Sequence, residues 1–185
     1  MPENLVAGST GQPIQLSDIK EHLAIDFDED DSRILNLVES AADYIEQQTS
    51  LALMPQTWEE VMPCFPYYSK AIELPRAPLS SVTSVTYYDA SNVSTVWSST
   101  NYYTQTAYKV PGKIYSKSSF PATYDRPDAV TIRYVAGYSL QNAPKKALQV
   151  LRLLVGHWNE NREGTKEVPV EIQRMISELG TGSYY

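Results

Sequence analysis

A chain of 185 residues with 42% apolar content is long enough for one packed domain, or one domain with a large insertion. Its formal net charge of −7 argues against a protein that grips nucleic-acid phosphates over a broad surface. The single Cys64 excludes an intrachain disulfide and any multi-cysteine metal site, and no stretch approaches the ~20 apolar residues of a membrane span.

Met1-Pro2-Glu3-Asn4 lacks the basic region and apolar run of a signal peptide, so none is expected, and the single cysteine fits an intracellular origin. Residues 1–16 show no periodicity and carry Gly8, Gly11 and Pro13, which reads as an irregular arm. Leu16–Leu23 reads as a short helix capped by Ser17, with Asp18 and Glu21 at its positive end. The acidic run Asp26-Phe27-Asp28-Glu29-Asp30-Asp31 follows. Its alternating aspartates suggest a calcium loop, but the sixth position needs Gly and holds Asp31, and the twelfth needs Glu and holds Leu37. An acidic linker in which Asp30 or Asp31 caps the next helix is the stronger reading. That helix, about Ser32–Thr49, carries the stripe Ile34, Val38, Ala41 and Ile45. The Ala41-Ala42 pair permits close approach of another helix.

From Pro55 to Tyr138 helical periodicity vanishes. Strands are expected at Thr57–Met62, Ala71–Leu74, Val82–Tyr88, Val93–Trp97, Tyr102–Thr106, Lys113–Tyr115 and Ala129–Val135, separated by Pro, Gly and Asp/Asn breakers. Fourteen tyrosines stand against three phenylalanines, and most lie between Tyr67 and Tyr138. They serve either a β-module whose rings pack while the hydroxyls stay wet, or an assembly surface. After Gly137 a long helix is expected, with Asn142 as N-cap, Pro144 in the first turn and Gly164 as its stop. Its stripe is Ala147, Leu151, Leu154 and Trp158, widened by Leu148 and Val155. Pro169 then opens a last helix bearing Ile172, Met175, Ile176 and Leu179, ahead of the terminal Tyr184 and Tyr185. The fold class is therefore α+β: a helical core with a large, mostly antiparallel β-insertion at 55–138. An N-terminal arm and helices fill 1–54, the long helix 139–164, and a C-terminal segment 165–185, all within one domain.

Chemistry is hard to find. The two histidines, His22 and His157, are accompanied by no nucleophile motif, no nucleotide-binding glycine fingerprint and no zinc helix. An enzyme built around His157 and Glu160 is a rival reading, but no catalytic residue, metal or cofactor is expected. Glu160, Arg162 and Glu163 read as a solvated, ion-paired helix end.

Several blocks together resemble the head–tail connector, or adaptor, family of tailed double-stranded-DNA bacteriophages. They are Leu16–Leu23; Asp30-Asp31 with Ile34, Ala41-Ala42 and Ile45-Glu46; Glu73–Leu79 with Val82, Val85 and Tyr87-Tyr88-Asp89; Arg133–Tyr138; and Gly156–Glu163. One departure is Asn159, where relatives commonly carry an aromatic residue. The resemblance implies a structural, non-enzymatic virion protein at the neck. It implies a ring, typically a dodecamer, beneath the portal protein, extending the DNA channel and offering a platform to a stopper or tail-completion protein. DNA would pass without sequence-specific binding, and no membrane is involved.

Carried onto this chain, the resemblance places portal docking in the segment from about Thr165, with Ile172, Met175, Ile176, Leu179, Tyr184 and Tyr185 as candidate residues. Short helices are marginal alone, so partial disorder of this segment is expected until it docks. Asp26, Asp28, Glu29, Asp30 and Asp31 are candidate lumen-facing acids, because an acidic wall repels phosphates and lets DNA slide. The alternative is a tail or baseplate binding module that uses the tyrosine-rich β-surface.

Overall fold

The computed structural model describes residues 3–9, 11–67, 71–106, 111–139, 142–162 and 167–180. The chain forms two compact units. One, the β unit, comprises Met1–Ser9 and Pro55–Gly137; the other, the helical unit, comprises Thr10–Met54 and Tyr138–Tyr185. With the helices and two antiparallel sheets, the class is α+β.

In the β unit, strands β1 (Glu3–Ala7), β2 (Gln56–Met62), β4 (Leu79–Tyr88), β5 (Ser94–Val96) and β8 (Val130–Ala136) form one sheet, ordered β1-β2-β8-β4-β5. Strands β3 (Ala71–Glu73), β6 (Tyr102–Gln105) and β7 (Lys113–Ser116) form a second, ordered β3-β7-β6. Period-two alternation assigns the faces. On β2, Trp58, Glu60 and Met62 point to the buried side; on β8, Val130, Ile132, Tyr134 and Ala136 do the same. Pairing brings Trp58 opposite Tyr134 and Glu60 opposite Ile132. Phe65, Trp97, Tyr102 and Phe120 form an aromatic cluster, with Phe65 and Phe120 stacked at 4.9 Å and Trp97 and Tyr102 at 5.0 Å. Gly112 packs against β4 so tightly that a Cβ there would lie 2.3 Å from Leu79 Cβ.

In the helical unit, α1 (Leu16–Leu23), α2 (Asp31–Thr49), α3 (Lys145–Glu160) and α4 (Val170–Ser177) pack around a shared core. Ile34, Val38, Ala41 and Ile45 of α2 are fully buried, as are Ala147, Val150, Leu151, Leu154 and Val155 of α3. Helix α2 lies against α3, as the alanine pair suggests. Each fully buried Ile or Leu contributes ~1.5–3 kcal/mol of transfer free energy. Tyr44 and Trp158 meet edge-to-face at 5.9 Å.

Several expectations are corrected. The first residues are not all irregular: Glu3–Ala7 is an edge strand paired with β2. Four of its five residues are exposed, so no in–out alternation announces it; β2, some fifty residues away, recruits it. Gln15, not Ser17, is the N-cap of α1, and Pro144, not Asn142, that of α3. Neither cap makes a side-chain hydrogen bond. Helix α3 ends at Glu160, with the Asn161 amide bonding back to His157 O at 3.1 Å, and the expected stop at Gly164 lies outside the described residues. Helices α1 and α2 end on Ala24 (φ 54°) and Ser50 (φ 56°), left-handed positions that glycine ordinarily marks.

Candidate assembly surfaces

The acidic run forms the connection between α1 and α2, and the structure divides it. Lys20 Nζ on α1 donates to Asp28 Oδ1 at 2.6 Å and to Asp31 Oδ1 at 2.8 Å. Arg33 grips Asp30 with two nitrogens, Nε to Oδ1 at 3.2 Å and Nη2 to Oδ2 at 2.7 Å. Its Nη1 donates to Asn159 Oδ1 on α3 at 2.7 Å. The hydrogen bonds from Lys20 and Arg33 hold the Asp28 and Asp30 carboxyls below the usual aspartate range, and Asp28 and Asp31 raise the Lys20 ammonium. Asp26 and Glu29 are exposed and meet no cation among the described residues. Asp30 is the N-cap of α2, but its side chain serves Arg33 and makes no cap bond. Asn159, the departure from the family pattern, thus ties the end of α3 to the start of α2.

The C-terminal candidates fall into three groups. Ile172, Ile176 and Leu179 are 7%, 3% and 9% exposed, packed within the helical unit, where α4 lies on α3 and α2. Met175 is half-buried and Val170 is 74% exposed. Tyr184 and Tyr185 lie outside the described residues. The α4 stripe therefore finds its core in its own chain.

The tyrosines divide likewise. Tyr87 packs on Phe65, and Tyr102, Tyr134 and Tyr138 are buried. Tyr67, Tyr103, Tyr115 and Tyr124 are exposed. Tyr103 and Tyr115 stand directly opposite each other on β6 and β7, on the face turned away from buried Tyr102 and Ile114. The rings thus divide between packing and surface, and for Tyr134 the hydroxyl is buried along with the ring instead of staying wet.

Charge separates by unit. The β unit holds seven acidic and seven basic residues; the helical unit holds fifteen acidic against eight basic. The whole net charge of −7 therefore belongs to the helical unit, a distribution invisible in the total.

His157 is half-buried at the end of α3, where Asn161 Nδ2 lies 3.4 Å from Nδ1 and donates to its backbone oxygen at 2.7 Å; Glu160 is exposed. A groove of about 500 Å³ in the β unit is lined by Cys64, Phe65, Tyr67, Ser116 and Phe120 among others, with no histidine or carboxylate in its wall. No group of three or more potential metal ligands occurs among the described residues, and no described helix is long and apolar enough to cross a membrane. Besides Glu46, whose Oε1 accepts from the Leu53 amide at 2.6 Å, the described residues hold a second buried carboxyl that sequence reasoning missed, Glu60. It is 1% exposed, and neither oxygen has a hydrogen-bond partner. Burial, reinforced by Glu3 opposite it, raises its pKa. Only its place in the alternation of β2 could have flagged it.

Comparison with known proteins agrees with this architecture. The model of the phage gp6-like head-tail connector protein family matches residues 13–116. Three solved structures are similar over 98% of this chain and 96% of theirs. One is from the neck of an empty gene transfer agent (GTA) particle computed with C6 symmetry, at 20% identity and a TM-score of 0.81. Another is from the virion of a native GTA particle, at 22% and 0.80. The third is from the neck of a native GTA particle computed with C12 symmetry, at 22% and 0.78. At such identities the likeness shows the fold. Among curated proteins none matches.

Proposed function

The chain belongs to the phage gp6-like head–tail connector family, and from that premise we propose that it forms a ring at the virion neck. The ring sits beneath the portal protein, extends the DNA channel, and presents a platform to a stopper or tail-completion protein. The observation that carries the reading is the family match across residues 13–116, which spans both units. Likeness in fold to chains of GTA necks, over nearly the full length of both, supports it.

Within this reading the acidic helical unit lines or borders the channel, where negative charge keeps phosphates from sticking. Asp26 and Glu29 are the members of the run free to act on DNA, while Asp28, Asp30 and Asp31 are engaged by Lys20 and Arg33. The C-terminal segment carries the portal contact. Ile172, Ile176 and Leu179 anchor α4 to its own unit, so the contact falls to exposed residues such as Val170 and to Tyr184 and Tyr185. DNA passes without sequence-specific binding.

Electron microscopy of the protein mixed with its cognate portal tests this. A second ring coaxial with the portal is expected, and portal particles left bare at saturating protein would overturn the reading. Deleting residues 181–185 should weaken portal binding without lowering the thermal midpoint of the free protein.

A further inference from the structure

A ring built from one kind of subunit needs two different, complementary patches on every copy, because each copy meets its neighbour head to tail. Two exposed patches of opposite character are present, and among the described residues the charges of neither meet an opposite charge.

The first is the outer face of the three-stranded sheet. Tyr103, 63% exposed, pairs across the strands with exposed Tyr115. Both rings are held. Tyr115 Oη donates to Gln105 Oε1 at 3.1 Å, and Lys117 Nζ lies 4.5 Å from the Tyr103 ring centroid while donating to Thr100 O at 2.7 Å. Side chains fixed before binding lose little entropy on binding, and tyrosine is favoured at interface centres. The Lys117 ammonium meets no carboxylate among the described residues.

The second patch is the solvent face of α2. Glu39 and Asp43 stand one turn apart on that face, both exposed and neither with a cation among the described residues. They belong to the unit that holds all of the net negative charge. Two like charges one turn apart on a helix repel mildly, so a cation brought from outside is favoured there.

We propose that the Tyr103–Tyr115–Lys117 face of one copy docks on the Glu39–Asp43 face of α2 in the next copy, forming the repeating contact of the ring. The inference rests on the ring reading above and names the surfaces that make it. Complementary charge fixes which face meets which, and the two tyrosine rings supply the desolvated centre.

Charge reversal tests the pairing. Two variants are made, Lys117→Glu and the double change Glu39→Lys with Asp43→Lys. All three positions are exposed, so the double variant should keep the wild-type thermal midpoint and Lys117→Glu, which gives up only the exposed bond to Thr100 O and the Tyr103 ring contact, should stay close to it. Copies bound per cognate portal are counted by native mass spectrometry across a concentration series. Each variant alone should need at least ~10-fold more protein than wild type to fill the ring, since like charges then face each other at every contact. A 1:1 mixture of the two should recover assembly, because alternating copies place opposite charges at every contact. Recovery by mixing is a result that a merely structural role for these residues would not produce.

Unimpaired assembly of both variants would overturn the pairing. Impairment without recovery on mixing would overturn it too. Failure of wild-type protein to form any ring on the portal is a separate outcome that removes the ring reading itself and this contact with it.

Discussion

Glu60→Gln should stabilise the protein at neutral and alkaline pH and cease to do so in acid. The carboxyl sits on the buried face of β2, 1% exposed, with no hydrogen-bond partner for either oxygen. Across the pairing lies Glu3, whose Oε1 is already bound by Arg76 Nη2 at 2.7 Å. Burial first, and the Glu3 charge in addition, raise the pKa in the folded state. For an acid so raised, the folded protein holds its proton to higher pH than the unfolded chain does. Stability is therefore highest below the unfolded pKa and falls as pH climbs through the folded one. An unpartnered buried polar group costs ~1–3 kcal/mol, and more when charged. Glutamine removes the charge and keeps the shape but leaves an amide in the same place, so the net gain at pH 8 should be ~1–2 kcal/mol. For a chain of this length that is a rise of ~3–6 °C in thermal midpoint. Scanning calorimetry of both proteins at pH 8 and pH 4 reads the difference directly. A Glu60→Gln variant that is less stable than wild type at pH 8 would mean instead that the charged carboxylate is well satisfied where it lies.

Other consequences follow from packing and from the ion pairs. Gly112→Ala should cost ~1–3 kcal/mol in urea unfolding, because its Cβ would meet Leu79 Cβ at 2.3 Å and the backbone must move to admit it; wild-type stability would mean that the backbone yields there at little cost. Ile176→Ala should destabilise the free protein by ~2–4 kcal/mol, as expected for a buried core residue. No loss of stability there would mean that α4 does not pack on its own unit in the free protein. Arg33→Ala should raise the Asp30 titration midpoint, followed by carboxyl carbon NMR, since Arg33 is the main cause of its lowered pKa. The sign for Asp30 is opposite to that for Glu60. Its pairing contributes above the unfolded aspartate pKa and is lost as pH falls through the depressed folded value. An unchanged midpoint would remove Arg33 as the cause.

Elements with a strong period were legible from sequence. The stripes of α2 and α4 and the alternation of β8 are set by residues that one fold must bury, and these appear where the pattern places them. What escaped notice lacks a local signal. Strand β1 exposes nearly all of its residues, and only its partner β2, distant in sequence, makes it a strand. The ends of α1 and α2 fall on Ala24 and Ser50, where no glycine advertises a left-handed residue. Which face of a chemically even run is used also depends on partners. The five acids from Asp26 to Asp31 look equivalent in sequence, yet Lys20 and Arg33 take three of them. The apolar face of α4 looks free for a partner, yet α2 and α3 occupy it. The tyrosine excess signalled a surface without saying which tyrosines, because the inward or outward turn of each ring is fixed by strand register.

The proposed role requires this connector to assemble on the portal as a ring. Native mass spectrometry of the wild-type protein with and without its cognate portal ring tests it most directly. A complex carrying about one copy per portal subunit is expected. No association at micromolar protein would contradict it and turn attention to the exposed tyrosine surface as a ligand-binding face.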